Sequence, residues 1–172
     1  MFDGLANQVI EWKRSDHGDR LYELRAGSRV LATLRRESWL GALATGTVGA
    51  CRWTLRRAGL FPGKVVMRAM HRDVEDAVCR SGWTGAGDIE LGNGRSFAWR
   101  RRGFMSPEWA FMDESRRPLM IFRPGLGAKA AVEITSAGAR TEEAPMLAVL
   151  GGYLMVLIAN DPDGVATPVG GG

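Results

Sequence analysis

Lysine is nearly missing from this chain. Of its 23 basic residues only Lys13, Lys64 and Lys129 are lysine, and the other 20 are arginine. Guanidinium forks suit phosphate and carboxylate, although a biased genome composition produces the same excess. Cysteine is scarce too. Cys51 and Cys79 allow at most one disulfide and cannot hold a zinc ion by themselves. Each lies in an apolar run, which predicts buried free thiols. Histidine is limited to His17 and His71. No Gly-x-Ser-x-Gly motif is present, and no nucleophile–histidine pair has an orienting partner, so the sequence reads as non-enzymatic. The segment from Met1 to Arg14 lacks a basic start followed by an apolar core, so a cytoplasmic location is expected, peripheral to a membrane at most.

What is present is enough for one ordinary domain. The chain has 172 residues, 45% hydrophobic and 24% charged, with a net charge of +4 and a pI near 9.6. That modest charge, spread along the chain, argues against nucleic acid as a partner.

From residue 8 to 135 short alternating runs are broken by turn residues. Asp88–Gly92, then Asn93–Gly94, then Arg95–Trp99 reads as a two-residue β-hairpin, with Ile89, Leu91, Phe97 and Trp99 on one face. A second hairpin pairs Glu108–Met112 with Leu119–Arg123 across Asp113–Arg117, and a third pairs Leu21–Arg25 with Arg29–Leu34. Further strands are predicted at Val9–Arg14, Thr47–Cys51, Arg52–Arg57, Lys64–Met70, Glu75–Arg80 and Lys129–Thr135. Roughly a dozen short strands at this spacing indicate a meandering sandwich or barrel.

The character then changes once. Residues 144–159 contain no charge and read as a helix, preceded by Thr141-Glu-Glu and stopped by Asn160-Asp-Pro-Asp-Gly. A helix apolar on every side is either membrane-spanning or wrapped in protein. Sixteen residues cover about 24 Å, short of the about 20 residues a bilayer needs. Gly151-Gly152 suits close approach of neighbouring backbone. A barrel wider than about eight strands leaves a lumen that must be occupied, and a helix about 10 Å across fits it. The expected fold is all-β with one helix: a closed, roughly twelve-stranded antiparallel barrel around a central hydrophobic C-terminal helix. One domain spans residues 1–161, followed by a glycine-rich tail, 162–172. A C-terminal membrane anchor, with the helix turned outward, is the competing reading.

Three stretches carry a resemblance: Glu108-Trp-Ala-Phe-Met-Asp-Glu, Arg117-Pro-Leu-Met-Ile-Phe-Arg123 with the apolar helix that follows, and Trp83-Thr-Gly-Ala-Gly-Asp-Ile-Glu-Leu-Gly-Asn-Gly-Arg95. Over about residues 8–161 the chain resembles the tubby C-terminal-like superfamily, in its LURP-one-related and phospholipid-scramblase-like branch, especially small bacterial members of unassigned function. The resemblance implies a twelve-stranded barrel around a central hydrophobic helix. It also implies association with phosphoinositides or membranes through basic surface residues, without a lipid-binding motif that transfers position by position.

The arginine clusters Arg35-Arg36, Arg56-Arg57 and Arg100-Arg101-Arg102 are the candidate anionic-lipid surface, and Arg116-Arg117 is a fourth pair at a turn. Convergence on one rim would make an anionic-headgroup surface. Scattering, with Asp19, Glu23, Glu37 and Asp113 interleaved, would make an ordinary solvated exterior. His71-Arg-Asp-Val-Glu-Asp76 reads as a solvated turn rather than a metal site, and no cofactor is expected. Of six tryptophans, most are predicted to line the barrel against the helix, whereas Trp39 with Leu40 reads as part of a loop tucked over the barrel mouth, the alternative being a membrane-insertion tip near Arg35 and Arg36. The expected function is a binding domain for anionic phospholipid or membrane surface. The alternative is a protein–protein interaction scaffold.

Overall fold

Period-two alternation continues along the chain until every strand has two neighbours. The structure, a computed structural model, describes residues 2–37, 43–59, 63–82, 85–103, 105, 107–126 and 129–160. Twelve strands follow in order: β1 (Val9–Arg14), β2 (Leu21–Ala26), β3 (Arg29–Arg36), β4 (Leu43–Val48), β5 (Cys51–Ala58), β6 (Lys64–Ala69), β7 (Glu75–Ser81), β8 (Gly87–Leu91), β9 (Ser96–Arg102), β10 (Glu108–Met112), β11 (Pro118–Pro124) and β12 (Ala130–Ile134). Each pairs antiparallel with the next, and β12 closes on β1 through Val9 opposite Glu133 and Trp12 opposite Ala130. The result is a closed barrel, which leaves no sheet edge to protect.

Two predicted boundaries are corrected. The strand expected at Thr47–Cys51 is β4, which starts at Leu43 and ends at Val48, with Gly49–Ala50 as the turn into β5. Gly46 lies inside β4 because any Cβ there would collide with Val149 of the central helix. The Asn93-Gly94 hairpin is wider than two residues. Leu91 N–H donates to Arg95 C=O at 2.9 Å, Gly94 N–H donates back to Leu91 C=O at 3.0 Å, and Gly94 has φ +84°. That is a three-residue loop ending in a left-handed glycine. Gly92 N–H is drawn instead to Asp76 C=O of β7.

After β12, Thr135 accepts a hydrogen bond from Gly138 N–H and caps the short helix α1 (Ser136–Ala139). The chain then enters α2 (Ala144–Asn160). Gly46 on β4, Phe122 on β11 and Trp12 on β1 all touch α2, at Val149, Gly151 and Gly152 respectively. β4 and β11 lie on opposite walls of the barrel, so only a helix in the lumen can meet both. The outward-anchor reading is therefore wrong. Among the described residues no helix is long and apolar enough to cross a membrane.

The uniform hydrophobicity of α2 follows from this position. Residues 146–156 are buried on every face, so a polar stripe would have no water to meet. Gly151 and Gly152 do admit a close neighbour, but it is aromatic rather than backbone. The Phe122 ring lies over Gly151, and the Trp12 ring would meet a Cβ on Gly152 at 2.6 Å. One wall of the lumen is an aromatic cluster in which Trp99 stacks on Trp109 at 5.5 Å and tilts against Phe111 at 4.6 Å.

The two ends of the barrel differ. At the end where α2 enters, α1 packs on β11 and on the 3-10 turn Asp3–Leu5, and Arg95 clasps Glu143 with both carboxylate oxygens 2.6 Å from Nη1. At the other end, where α2 finishes, six interstrand loops project. These are the entry end and the exit end.

Candidate functional site

In an antiparallel meander all odd-numbered strands run the same way. Here they run towards the exit end, and the three arginine clusters close β3, β5 and β9. Arg35, Arg36, Arg56, Arg57, Arg100, Arg101 and Arg102 therefore all stand at the exit end. They occupy two sectors of it. β3 and β5 are separated only by β4, about 10 Å at the usual interstrand spacing. β9 lies across the barrel from β3. Arg116 and Arg117 are at the entry end, where Arg117 pairs with Asp113 at 2.8 Å.

Alternation divides each cluster. Arg36, Arg57 and Arg101 continue the lumen-facing rows of Leu34, Leu55 and Trp99, while Arg35, Arg56, Arg100 and Arg102 continue the outer rows. Arg14 ends the inward row of β1 and sits 6.0 Å over the Tyr22 ring. The last turn of α2 has no basic residue of its own, and among these inward arginines Arg36 and Arg57 reach the helix. The contact is direct at Tyr153. Burial pushes its phenol up to about 12, against the Arg57 backbone hydrogen bond and the charges of Arg36 and Arg57.

The outward arginines divide further. Arg100 is held by Asp88 and by the Gly87 carbonyl. Arg102 is half-buried, and its Nη1 has no hydrogen-bond partner among the described residues. Arg35 lines a cleft of about 410 Å³ with His17, Asp19, Arg20, Arg36 and Glu37. Arg20 reaches across it to donate to Glu37 C=O at 2.9 Å. Arg35 also faces a shallow outer groove over Thr33, Thr45 and Thr47.

The interleaved acids separate on folding. Asp113 holds the β10–β11 turn at the entry end, where the Arg117 backbone N–H keeps its carboxyl below the usual range. Glu23 is buried. Burial pushes its carboxyl up, but hydrogen bonds from Ser15 and Arg25 outweigh this and hold it below the usual range. Asp73, Glu75, Asp76, Glu142 and Glu143 also lie towards the entry end, leaving Asp16, Asp19, Glu37, Asp88 and Glu108 among the exit-end arginines. Arg123 is neutralised by Glu108 at 2.7 Å and Glu133 at 2.8 Å, and these two hydrogen bonds raise its pKa.

Other candidates resolve differently. In the His71–Asp76 segment, Glu75 pairs with Arg68 at 3.2 Å and Asp76 accepts from Ala69 N–H. Among the described residues no three histidine, cysteine or carboxylate side chains are grouped to hold a metal. Trp39 and Leu40, Trp83, and the tail 162–172 lie outside the described residues. Trp12, Trp53, Trp99 and Trp109 are buried in the lumen wall.

Cys51 corrects an expectation. It is exposed, as the first residue of β5, whereas Cys79 is buried and its thiol is pushed up to about 12 by burial. A thiolate-selective reagent at pH 8 is expected to titrate one cysteine fast and the second only on unfolding. Two equally fast thiols in the native protein would contradict this placement.

Sequence reasoning missed Arg14, Arg20 and His17, and the apolar residues Met105 and Leu126 on the exit-end loops. The available signal was strand parity: a cluster that closes an odd-numbered strand shares an end with every other such cluster. Comparison of the chain with family models, with curated proteins and with solved structures finds no match.

Proposed function

We propose that this protein is a non-enzymatic binding domain that docks end-on to an anionic phospholipid surface through its exit-end arginines. The observation that carries the reading is the convergence of three arginine clusters, from β3, β5 and β9, on the end of the barrel away from most carboxylates. A rim of guanidiniums spread around a barrel mouth matches a flat anionic surface better than a single small ligand. Arg35, Arg56 and Arg101 make no ion pair among the described residues, so they remain available to phosphate oxygens. The resemblance to tubby-like and scramblase-like proteins points the same way.

Co-sedimentation with neutral and anionic vesicles at two salt concentrations tests it. Binding is expected only to anionic vesicles and is expected to weaken at high salt. Each arginine near an acidic bilayer contributes about 1 kcal/mol, so Arg35→Gln/Arg56→Gln/Arg101→Gln should lower affinity roughly a hundredfold. Arg29→Gln/Arg72→Gln, at the entry end, should leave it unchanged. Absence of wild-type binding would sink the lipid reading and move the function to a protein partner.

A further inference from the structure

Among the described residues the two most exposed large apolar side chains are Met105, 91% exposed, and Leu126, 93% exposed. Met105 lies between β9 and β10, and Leu126 lies between β11 and β12, so both project from the exit end on neighbouring loops. The Leu126 loop has a firm base, because Gly125 N–H donates to Lys129 C=O at 2.8 Å. Between Arg100 and Glu108 the sequence has no acid, and none stands between Arg123 and Glu133. The Met105 loop is flanked by Arg101 and Arg102, with Glu108 at its far base tied to Arg123 at 2.7 Å, and the Leu126 loop is flanked by Lys129.

The entry end also shows apolar side chains, but in the opposite electrostatic setting. Val74 stands between Asp73 and Glu75, and Val9 pairs in register with Glu133. Their carboxylates would be repelled by an anionic surface, and the charge around Met105 and Leu126 would be attracted to one. Apolar side chains ringed by cations fit the interface of an anionic bilayer, where the tip enters the acyl boundary and the cations meet the headgroups.

From this geometry we infer that Met105 and Leu126 are membrane-insertion tips, so that the β9–β12 sector of the exit end enters the lipid while the β3–β5 arginines contact headgroups. The inference rests on the lipid-surface reading and adds to it an apolar, salt-resistant component. Each tip leaving water for lipid is worth about a tenfold gain in partitioning or more.

The test uses a Cys51→Ser background, which removes the exposed native thiol. Met105→Cys, Leu126→Cys and Val74→Cys are each labelled with an environment-sensitive fluorophore and mixed with vesicles of phosphatidylcholine and phosphatidylserine. Emission at positions 105 and 126 is expected to rise and shift blue and to be quenched by spin-labelled lipid, with position 74 unchanged. Separately, unlabelled Met105→Asn/Leu126→Asn, which alters no charge, should lose about a hundredfold in vesicle affinity while keeping the wild-type thermal melt. If the wild-type protein binds anionic vesicles but either the probes stay silent or the asparagine variant binds normally, the insertion tips are overturned and the arginine-rim reading survives. If the wild-type protein does not bind such vesicles at all, both fall together.

Discussion

A chain ending at Glu143 is expected not to fold. The barrel wall has no alternative filling for the space that α2 occupies. Leu34, Leu55, Met67, Ile89, Phe111, Phe122 and Val132 are all fully buried, and the helix residues 147–150 are fully buried among them. A single Leu→Ala cavity costs about 2–5 kcal/mol, and a whole domain is stable by only about 5–15 kcal/mol. Emptying the lumen removes many such contacts at once and leaves an apolar cavity open to water. The truncated protein should show no near-ultraviolet circular dichroism, no cooperative melt and strong binding of a hydrophobic dye. A monomeric truncated protein with a native-like melt would mean that the barrel closes without its helix.

Replacing Trp99 by alanine should be the most damaging single truncation in the wall. Trp99 is fully buried, and it contacts Trp109, Phe111 and Phe122, the last at 5.4 Å edge-on. Phe122 in turn covers Gly151, so Trp99 supports the ring that seats the helix. Tryptophan-to-alanine changes in a core cost about 3–5 kcal/mol, and each kcal/mol shifts the melting temperature of a domain this size by about 2–4 °C. A fall of roughly 6–20 °C is expected in a thermal melt followed by circular dichroism. Trp99→Phe should fall much less, since the Trp99 indole N–H is buried with no partner among the described residues and its removal relieves a polar burial cost. Equal losses for alanine and phenylalanine would show that the indole itself, and not the ring stacking, carries the contribution.

Most of the architecture was legible from local pattern. Alternation marked nearly every strand, because each wall residue faces either lumen or solvent and the two demand opposite chemistry. The charge-free run at 144–159 marked the plug, because a helix wetted on no side tolerates no polar residue. Where local pattern failed, a distant contact had overruled it. Gly46 weakened the apparent strand at β4 because it yields space to Val149, more than a hundred residues away. Asn93-Gly94 opened into a wider loop because Gly92 is bonded to Asp76 on another hairpin.

The candidate surface was less legible, and for a different reason. Which arginines exist, and that they stand at strand ends, is a property of the sequence. Which end they share depends on the parity of every strand before them, and which face of the rim each occupies depends on the pleat at the barrel mouth. Asp113 and Glu23 are near arginines in the chain, yet folding carries one to the entry end and buries the other beneath Ser15 and Arg25. The sequence by itself determined the strands, the buried helix and the stock of guanidinium groups, because these follow from periodicity and hydrophobicity at short range. Only the tertiary structure decided that arginines from β3, β5 and β9 meet at one mouth with Met105 and Leu126 beside them, because barrel closure brings together residues that no local pattern relates.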